Sequence, residues 1–244
     1  EILALASSPD FDANKERDSL GKKKDTSIYF NRVVQGVYEM GSTFKLFAVA
    51  QVLESNQFDV DTLIDTTAFR ISSRKIEDKY KFNRKSSIYE IIVKSSNVGS
   101  ARLALMIGEK GLKDIFSTLG LFEPVGLELG EANLTSPIIP KDWRDITLAT
   151  TSYGYGISVS LLHLAKAYAI LGNGGFSVEP TILKKNQSVN MGPRVLKKRT
   201  SDEILKLLEA VVTDQRGTAK ILGSEHYRIG GKTGTAEKIS VAKK

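Results

Sequence analysis

The apolar and polar positions of this chain fall into blocks whose period changes several times. The most apolar block is residues 44–53, Phe-Lys-Leu-Phe-Ala-Val-Ala-Gln-Val-Leu, where Lys45 and Gln51 are the only polar positions. A helix that is apolar all round is buried all round. The pattern therefore predicts a core helix, ending near Ser55 and Asn56, that carries a lysine inward. A capping box at Ser87 and Glu90 opens a second helix, and residues 97–107 predict a third that ends at Gly108. Ser95-Ser96-Asn97 thus falls at a helix junction. Residues 111–119 read as a short amphipathic helix stopped by Gly120, and 143–152 and 161–171 as two more, the latter closed by Gly172-Asn173-Gly174-Gly175. A second capping box, Thr200 with Glu203, opens a helix running to about Val212.

Strand signals are weaker. Residues 1–8 read as a buried strand, 68–71 and 176–184 as short extended pieces, and 227–237 as a strand whose Gly230, Gly231 and Gly234 mark close backbone approach. Residues 9–31 and 185–199 read as charged loops, 57–85 as mixed, and the stretch up to Pro140 as irregular. Periodicity alone gives an α-rich mixed domain.

Composition narrows the chemistry. With 244 residues and 41% apolar side chains the chain can build one sizeable core or two lobes. Its longest apolar stretch is too short and too interrupted for a membrane span. Zero cysteines excludes disulfides, thiolate metal sites and a cysteine nucleophile, and two histidines, His163 and His226, are too few for most histidine metal sites. A Ser-His-Asp triad would need one of them and lacks a G-x-S-x-G elbow. His163, in Leu-Leu-His-Leu-Ala-Lys, reads as a helical packing or surface position. The net charge of +7 reads as a solvated basic face, and no nucleic-acid-binding motif accompanies it.

The candidate chemistry starts at Gly41-Ser42-Thr43-Phe44-Lys45. Residues i and i+3 share a helical face, so Ser42 Oγ and Lys45 Nζ are expected to meet at the mouth of the core helix, where unpaired N–H groups favour an oxyanion. S-x-x-K is a cheap pattern, repeated at Ser19/Lys22, Ser72/Lys75 and Ser240/Lys243, but those three lie in polar surroundings. A second motif is Ser95-Ser96-Asn97, with one decoy at Ser188-Val189-Asn190, and a third is the single K-T-G, Lys232-Thr233-Gly234, followed by Thr235. Taken singly, the second reads as a cap and the third as an edge strand.

S-x-x-K, S-x-N and K-T-G in that order resemble the signature of penicillin-binding proteins and serine β-lactamases. Residues 1–12, 31–45, 94–99, Gly130-Glu131 and 150–156 are further similar to the transpeptidase domain of class B penicillin-binding proteins, closest to the division-specific peptidoglycan synthases of Gram-negative bacteria. The resemblance covers essentially all 244 residues. It departs at Met40, where the family has proline, and at the end, where the family continues past K-T-G with more strands and a C-terminal helix.

The resemblance implies a mixed α/β fold of the penicillin-binding/serine β-lactamase type: an antiparallel sheet flanked by helices, with a mainly helical lobe over about residues 57–155 inserted in a domain spanning 1–244. It implies that Ser42 attacks the bond between two terminal D-alanines of a stem peptide and passes the acyl group to an amine. Lys45 is then the base, Ser95 a proton relay and Asn97 a holder of the substrate peptide. Lys232, Thr233, Gly234 and Thr235 receive the free carboxylate, and the Ser42 and Thr235 amides form the oxyanion hole. Expected partners are peptidoglycan stem peptides, β-lactams and, through parts outside this chain, membrane proteins of the division machinery; no cofactor, metal or nucleic acid is expected. The parent protein would work at the periplasmic face of the inner membrane. A β-lactamase, a D,D-carboxypeptidase and a non-catalytic β-lactam sensor share the three motifs. The E-x-x-x-N loop of class A lactamases is absent.

Overall fold

A computed structural model of the protein describes residues 1–10, 12, 26–80, 82, 84–184 and 191–235. After a 3-10 turn at Thr26–Tyr29 come strand β1 (Val37–Tyr38), a 3-10 turn at Gly41–Phe44 and helix α1 (Lys45–Glu54). Then follow β2 (Leu63–Asp65), β3 (Phe69–Ile71), β4 (Arg74–Ile76), β5 (Lys85–Ser87), α2 (Ile88–Val93) and α3 (Asn97–Thr118). The rest is α4 (Gly130–Asn133), α5 (Asp145–Ser152), β6 (Val159–Ser160), α6 (Leu161–Gly172), α7 (Lys198–Thr213) and a 3-10 turn at Lys220–Leu222.

Helix α1 is the axis of the core, packed against α2, α3, α5 and α7. Eight of its ten residues are buried, including Leu46, Phe47, Val49 and Val52 on every side, as the all-apolar run requires. Phe44, Phe47, Phe116, Phe122, Trp143 and Tyr168 interlock mostly edge to face around it, with Phe44 and Phe47 centroids 4.8 Å apart. Each such ring or aliphatic side chain adds ~1.5–3 kcal/mol of burial. That apolar packing holds Lys45, the one fully buried charged group of the helix, away from water.

The break at Gly108 is present within α3, where φ is 67° and ψ is −174°, and the chain resumes as a helix until Gly120 at φ 72°. Ser87 caps α2 by accepting from the Glu90 N–H at 3.2 Å. The start of α7 corrects the sequence reading. It begins at Lys198, two residues before the expected box, and Thr200 and Ser201 are buried inside it. Ser201 Oγ donates to Leu171 O at 2.5 Å and accepts from Gly174 N at 3.0 Å, so this first turn is tied to the end of α6 by a tertiary link.

The fold is mixed helix and small antiparallel sheets: among the described residues β1 pairs with β6, β2 with β5 and β3 with β4, each a two-stranded ladder. Residues 1–8 are not a buried strand. Ile2 N donates to Thr181 O at 2.8 Å, and Ile2 and Leu5 pack on Val34, Leu127 and Leu162, but Leu3 is 91% exposed and no ladder forms. Nor do residues 227–235 pair as a strand. Their glycines do mark close approach: a Cβ on Gly230 would lie 3.2 Å from Glu209 N, and Gly231 N donates to Leu208 O at 3.1 Å. The partner there is helix α7 and not a second strand. The decoys Ser19/Lys22, Ser240/Lys243 and Ser188/Asn190 lie outside the described residues, as does most of the 9–31 loop.

Candidate active site

Ser42 sits in the 3-10 turn that feeds α1, one turn before Lys45. A 3-10 turn has three residues per turn, so side chains at i and i+3 eclipse. Lys45 Nζ consequently lies 2.9 Å from Ser42 Oγ. The turn is held from below by Tyr168, whose buried hydroxyl donates to Thr43 O at 2.9 Å, and from the side by Gly41 N, which donates to Gly154 O at 3.3 Å. Gly41 has φ 55°, and a Cβ there would come 2.1 Å from Thr235 O, so backbone from the C-terminal motif lies directly against the nucleophile turn. Gly234 is also close, since a Cβ on it would meet Met40 O and Thr43 Cγ2 at 3.0 Å each.

The S-x-N segment reaches the same point from the α2–α3 junction. Ser95 adopts φ 62°, a left-handed conformation that costs a non-glycine residue about 1–2 kcal/mol. This reversal turns both Ser95 oxygens toward Lys45, whose Nζ is 2.7 Å from Ser95 O and 3.0 Å from Ser95 Oγ. Lys232 Nζ approaches the same Ser95 Oγ at 2.9 Å and also donates to Thr233 O at 3.2 Å and Thr233 Oγ1 at 3.3 Å. One hydroxyl is thus shared by two amines. Ser42, Lys45, Ser95 and Lys232 form a continuous hydrogen-bonded chain, with Asn97 at the first turn of α3 and Thr235 against Gly41.

Two ammonium ions cannot share one small oxygen cheaply in a dry site. Burial lowers the Lys45 pKa to about 7, with the positive charge of Lys232 pushing the same way and Asp78 opposing. Burial likewise brings Lys232 down to about 8. Near neutral pH a substantial fraction of Lys45 is therefore a free amine, whose lone pair can take the Ser42 proton, beside a mostly charged Lys232.

Asp78 carries no sequence signal, sitting in the charged stretch Lys75-Ile76-Glu77-Asp78-Lys79. Its carboxylate accepts from Ser96 Oγ at 2.7 Å, from Val98 N at 3.1 Å and from Asn97 N by a short bond. Ser96 Oγ in turn accepts from Gly99 N at 2.9 Å. The first three amides of α3, which no helix satisfies internally, are therefore all paired, and the S-x-N turn is fixed. Thr218, also unread in the sequence, accepts at 2.9 Å from Thr233 Oγ1, while Tyr155 OH donates to Thr235 O at 3.4 Å and Gly156 N to Glu39 Oε1 at 2.6 Å. The glycine-rich 153–156 block was legible as a block, not in this bracing role.

His163 lies away from this cluster. It is buried at the start of α6, its Nδ1 is 2.7 Å from Ser160 Oγ and its Nε2 2.9 Å from Glu123 O, and burial lowers its pKa. It is a capping and packing residue. Among the described residues no group of three His, Cys, Asp or Glu side chains could hold a metal. The decoy pair at Ser72 and Lys75 occupies an exposed hairpin where Lys75 meets Glu77 at 2.5 Å.

A nucleophile turn, an S-x-N turn and a K-T-G segment wrapped round two lysines define a serine acyl-transfer type of site, and the chain belongs to the family described as the penicillin binding protein transpeptidase domain, which matches residues 1–244. It is 38% identical over 245 residues to the probable peptidoglycan D,D-transpeptidase FtsI of Caulobacter vibrioides, covering 99% of this chain and 40% of that protein. It is 33% identical over 240 residues to the peptidoglycan D,D-transpeptidase FtsI of Escherichia coli K12, covering 98% of this chain and 39% of that one. The chain thus spans about two-fifths of the length of these relatives. The transpeptidase domain of Burkholderia pseudomallei penicillin-binding protein 3 superposes with a TM-score of 0.80 at 34% identity, over 88% of this chain and 65% of that one.

Proposed function

We propose that this chain is the catalytic domain of a class B peptidoglycan D,D-transpeptidase that cross-links stem peptides through an acyl-enzyme on Ser42. The observation that carries the reading is the unbroken run Ser42 Oγ, Lys45 Nζ, Ser95 Oγ, Lys232 Nζ at 2.9, 3.0 and 2.9 Å. Neutral Lys45 takes the Ser42 proton as Oγ bonds to the carbonyl carbon of the penultimate D-alanine. The peptide C–N bond then breaks, its nitrogen protonated through Ser95, and D-alanine leaves. An amine of a second stem peptide attacks the ester, an amide forms, and one amine proton returns to Ser42 Oγ. Lys232, Thr233 and Thr235 hold the terminal carboxylate, with Gly234 letting that backbone close on the nucleophile turn, and Asn97 holds the peptide group.

The amides of Ser42 and Thr235 receive the oxyanion, each worth roughly 3–4 kcal/mol in the transition state. Support for Thr235 is that a Cβ on Gly41 would lie 3.2 Å from its nitrogen. A β-lactam enters as a mimic of the D-Ala-D-Ala end and acylates Ser42. In this reading the cleft lies between a helical lobe of about residues 57–155 and the remainder of 1–244. The domain is then of the penicillin-binding/serine β-lactamase-like fold. Among the described residues no helix is long and apolar enough to cross a membrane. The parent protein acts at the periplasmic face of the inner membrane and meets the division machinery through other parts.

The test is partition of the acyl-enzyme. Incubated with a D-alanyl thioester donor and a D-amino acid acceptor, the protein is expected to give the transfer product. Hydrolysis alone would replace this reading with a carboxypeptidase or lactamase, and stable acylation with no turnover would indicate a sensor.

A further inference from the structure

Thr218 has no part in the chemistry above, yet it meets both arms of the site. Its N–H donates to Val93 O at 3.3 Å, two residues before Ser95, and its Oγ1 lies 2.9 Å from Thr233 Oγ1. The main chain is thus tied to the helix that leads into the S-x-N turn, and the side chain to the K-T-G segment.

The turn that carries Thr218 is anchored from behind. Gly217 N donates to Asp214 O at 2.8 Å and Ala219 N to Val211 O at 3.1 Å, which folds the chain back on the end of α7, and a Cβ on Gly217 would lie 2.3 Å from Val211 O. Arg216 joins this turn to α2: it donates to Asp214 at 2.9 and 3.1 Å and to Glu90 at 2.8 Å, while Tyr89 OH donates to Asp214 Oδ2 at 3.1 Å. Bonds from two helices therefore set where the Thr218 hydroxyl stands.

A threonine hydroxyl has one proton to give and two lone pairs to receive with. Thr233 Oγ1 receives from Lys232 Nζ at 3.3 Å, and without substrate it gives its proton to Thr218. An ionised carboxylate only accepts, so on its arrival the Thr233 proton turns to it, and the remaining lone pair of Thr233 needs a donor. Thr218 is exposed, and its own hydroxyl proton can turn to fill that need. A valine there could neither give nor receive. We propose that Thr218 is a positioning residue for the donor carboxylate: by donating to Thr233 Oγ1 it holds that hydroxyl turned toward the substrate, so preference for donors that end in a free carboxylate depends on a residue that does not touch them. The inference rests on the acyl-transfer reading above, in which Lys232 and Thr233 hold the carboxylate.

The experiment compares acylation of Ser42 by benzylpenicillin, which carries a free carboxylate, with acylation by its methyl ester, which does not. The ratio of the two second-order rates is taken within each protein, so that losses of folding cancel. Thr218→Val is expected to lower the acid-to-ester ratio about fivefold, the size of one neutral hydrogen bond, and Thr218→Ser to keep it near the starting value. In a Thr233→Val background no hydroxyl is left to orient, and Thr218→Val should move the ratio no further. A ratio unmoved by Thr218→Val, lowered as far by Thr218→Ser, or lowered again in the Thr233→Val background would overturn the assignment while leaving acyl transfer standing. No acylation of the unaltered protein by either compound would overturn the acyl-transfer reading and the assignment with it.

Discussion

Asp78 offers a perturbation whose size can be worked out. In Asp78→Ala the N–H groups of Asn97 and Val98 lose their acceptor, Ser96 Oγ loses its own, and the start of α3 loses a negative charge. Loss of a helix cap costs about 0.5–2 kcal/mol and loss of a favourable charge at a helix start about 0.3–1 kcal/mol, more when partly buried. Together this is about 2–3 kcal/mol for the half-buried carboxylate, or roughly 5–10 °C in Tm for a domain of this size. The turn that aims Ser95 at both lysines relaxes as well, and a displacement of about 1 Å at a reacting group costs on the order of 100-fold in rate. Asp78→Asn separates the two effects. An asparagine carbonyl can still accept from Asn97 and Val98, so most stability is kept, but the charge that supports protonated Lys45 is gone. Its acylation rate should therefore rise with pH from a lower starting pH than in the unaltered protein. Differential scanning calorimetry and stopped-flow acylation by a fluorescent penicillin measure both. Unchanged Tm and rate in Asp78→Ala, or a limb displaced to higher pH in Asp78→Asn, would show that Asp78 neither clamps the turn nor acts on Lys45.

Two further outcomes follow from the same geometry. Acylation should be bell-shaped in pH: it rises through about 7 as Lys45 loses its proton and becomes a base, and falls above about 8 as Lys232 loses the charge that holds the carboxylate; a flat profile between pH 6 and 9 would contradict these roles. Gly41→Ala forces a Cβ to within 2.1 Å of Thr235 O at a φ of 55°, so it should cut acylation by more than about 100-fold through the misplaced turn; a rate within twofold would show that the two motifs are not in contact.

What could be read from the sequence was whatever is set locally. The run 44–53 specifies a buried helix, Gly108 and Gly120 stop helices because glycine takes a positive φ without the cost that a side chain adds, and the three-residue spacing of Ser42 and Lys45 survives the change from an α to a 3-10 turn. What depends on distant partners was hidden. Asp78 clamps a turn 18–20 residues away with nothing in its own neighbourhood to announce it, and Thr218 meets Thr233 only through folding. The Thr200 box failed because the helix starts two residues earlier, at Lys198, which leaves Thr200 buried inside it beside a Ser201 bonded to the end of α6. The 227–237 pattern carried strand-like residues, yet a strand exists only against a second backbone ladder, and over the described residues 227–235 no ladder forms: Gly230 and Gly231 lie against helix α7, and Gly234 and Thr235 against the nucleophile turn.

Whether Lys45 primes Ser42 as the single nucleophile is decided by peptide-level mass spectrometry after treatment with benzylpenicillin. One penicilloyl adduct is expected, located on Ser42, abolished in Ser42→Ala and slowed by at least about 1,000-fold in the folded Lys45→Met protein. An adduct that persists in Ser42→Ala, or a Lys45→Met protein that acylates at the original rate, would contradict it.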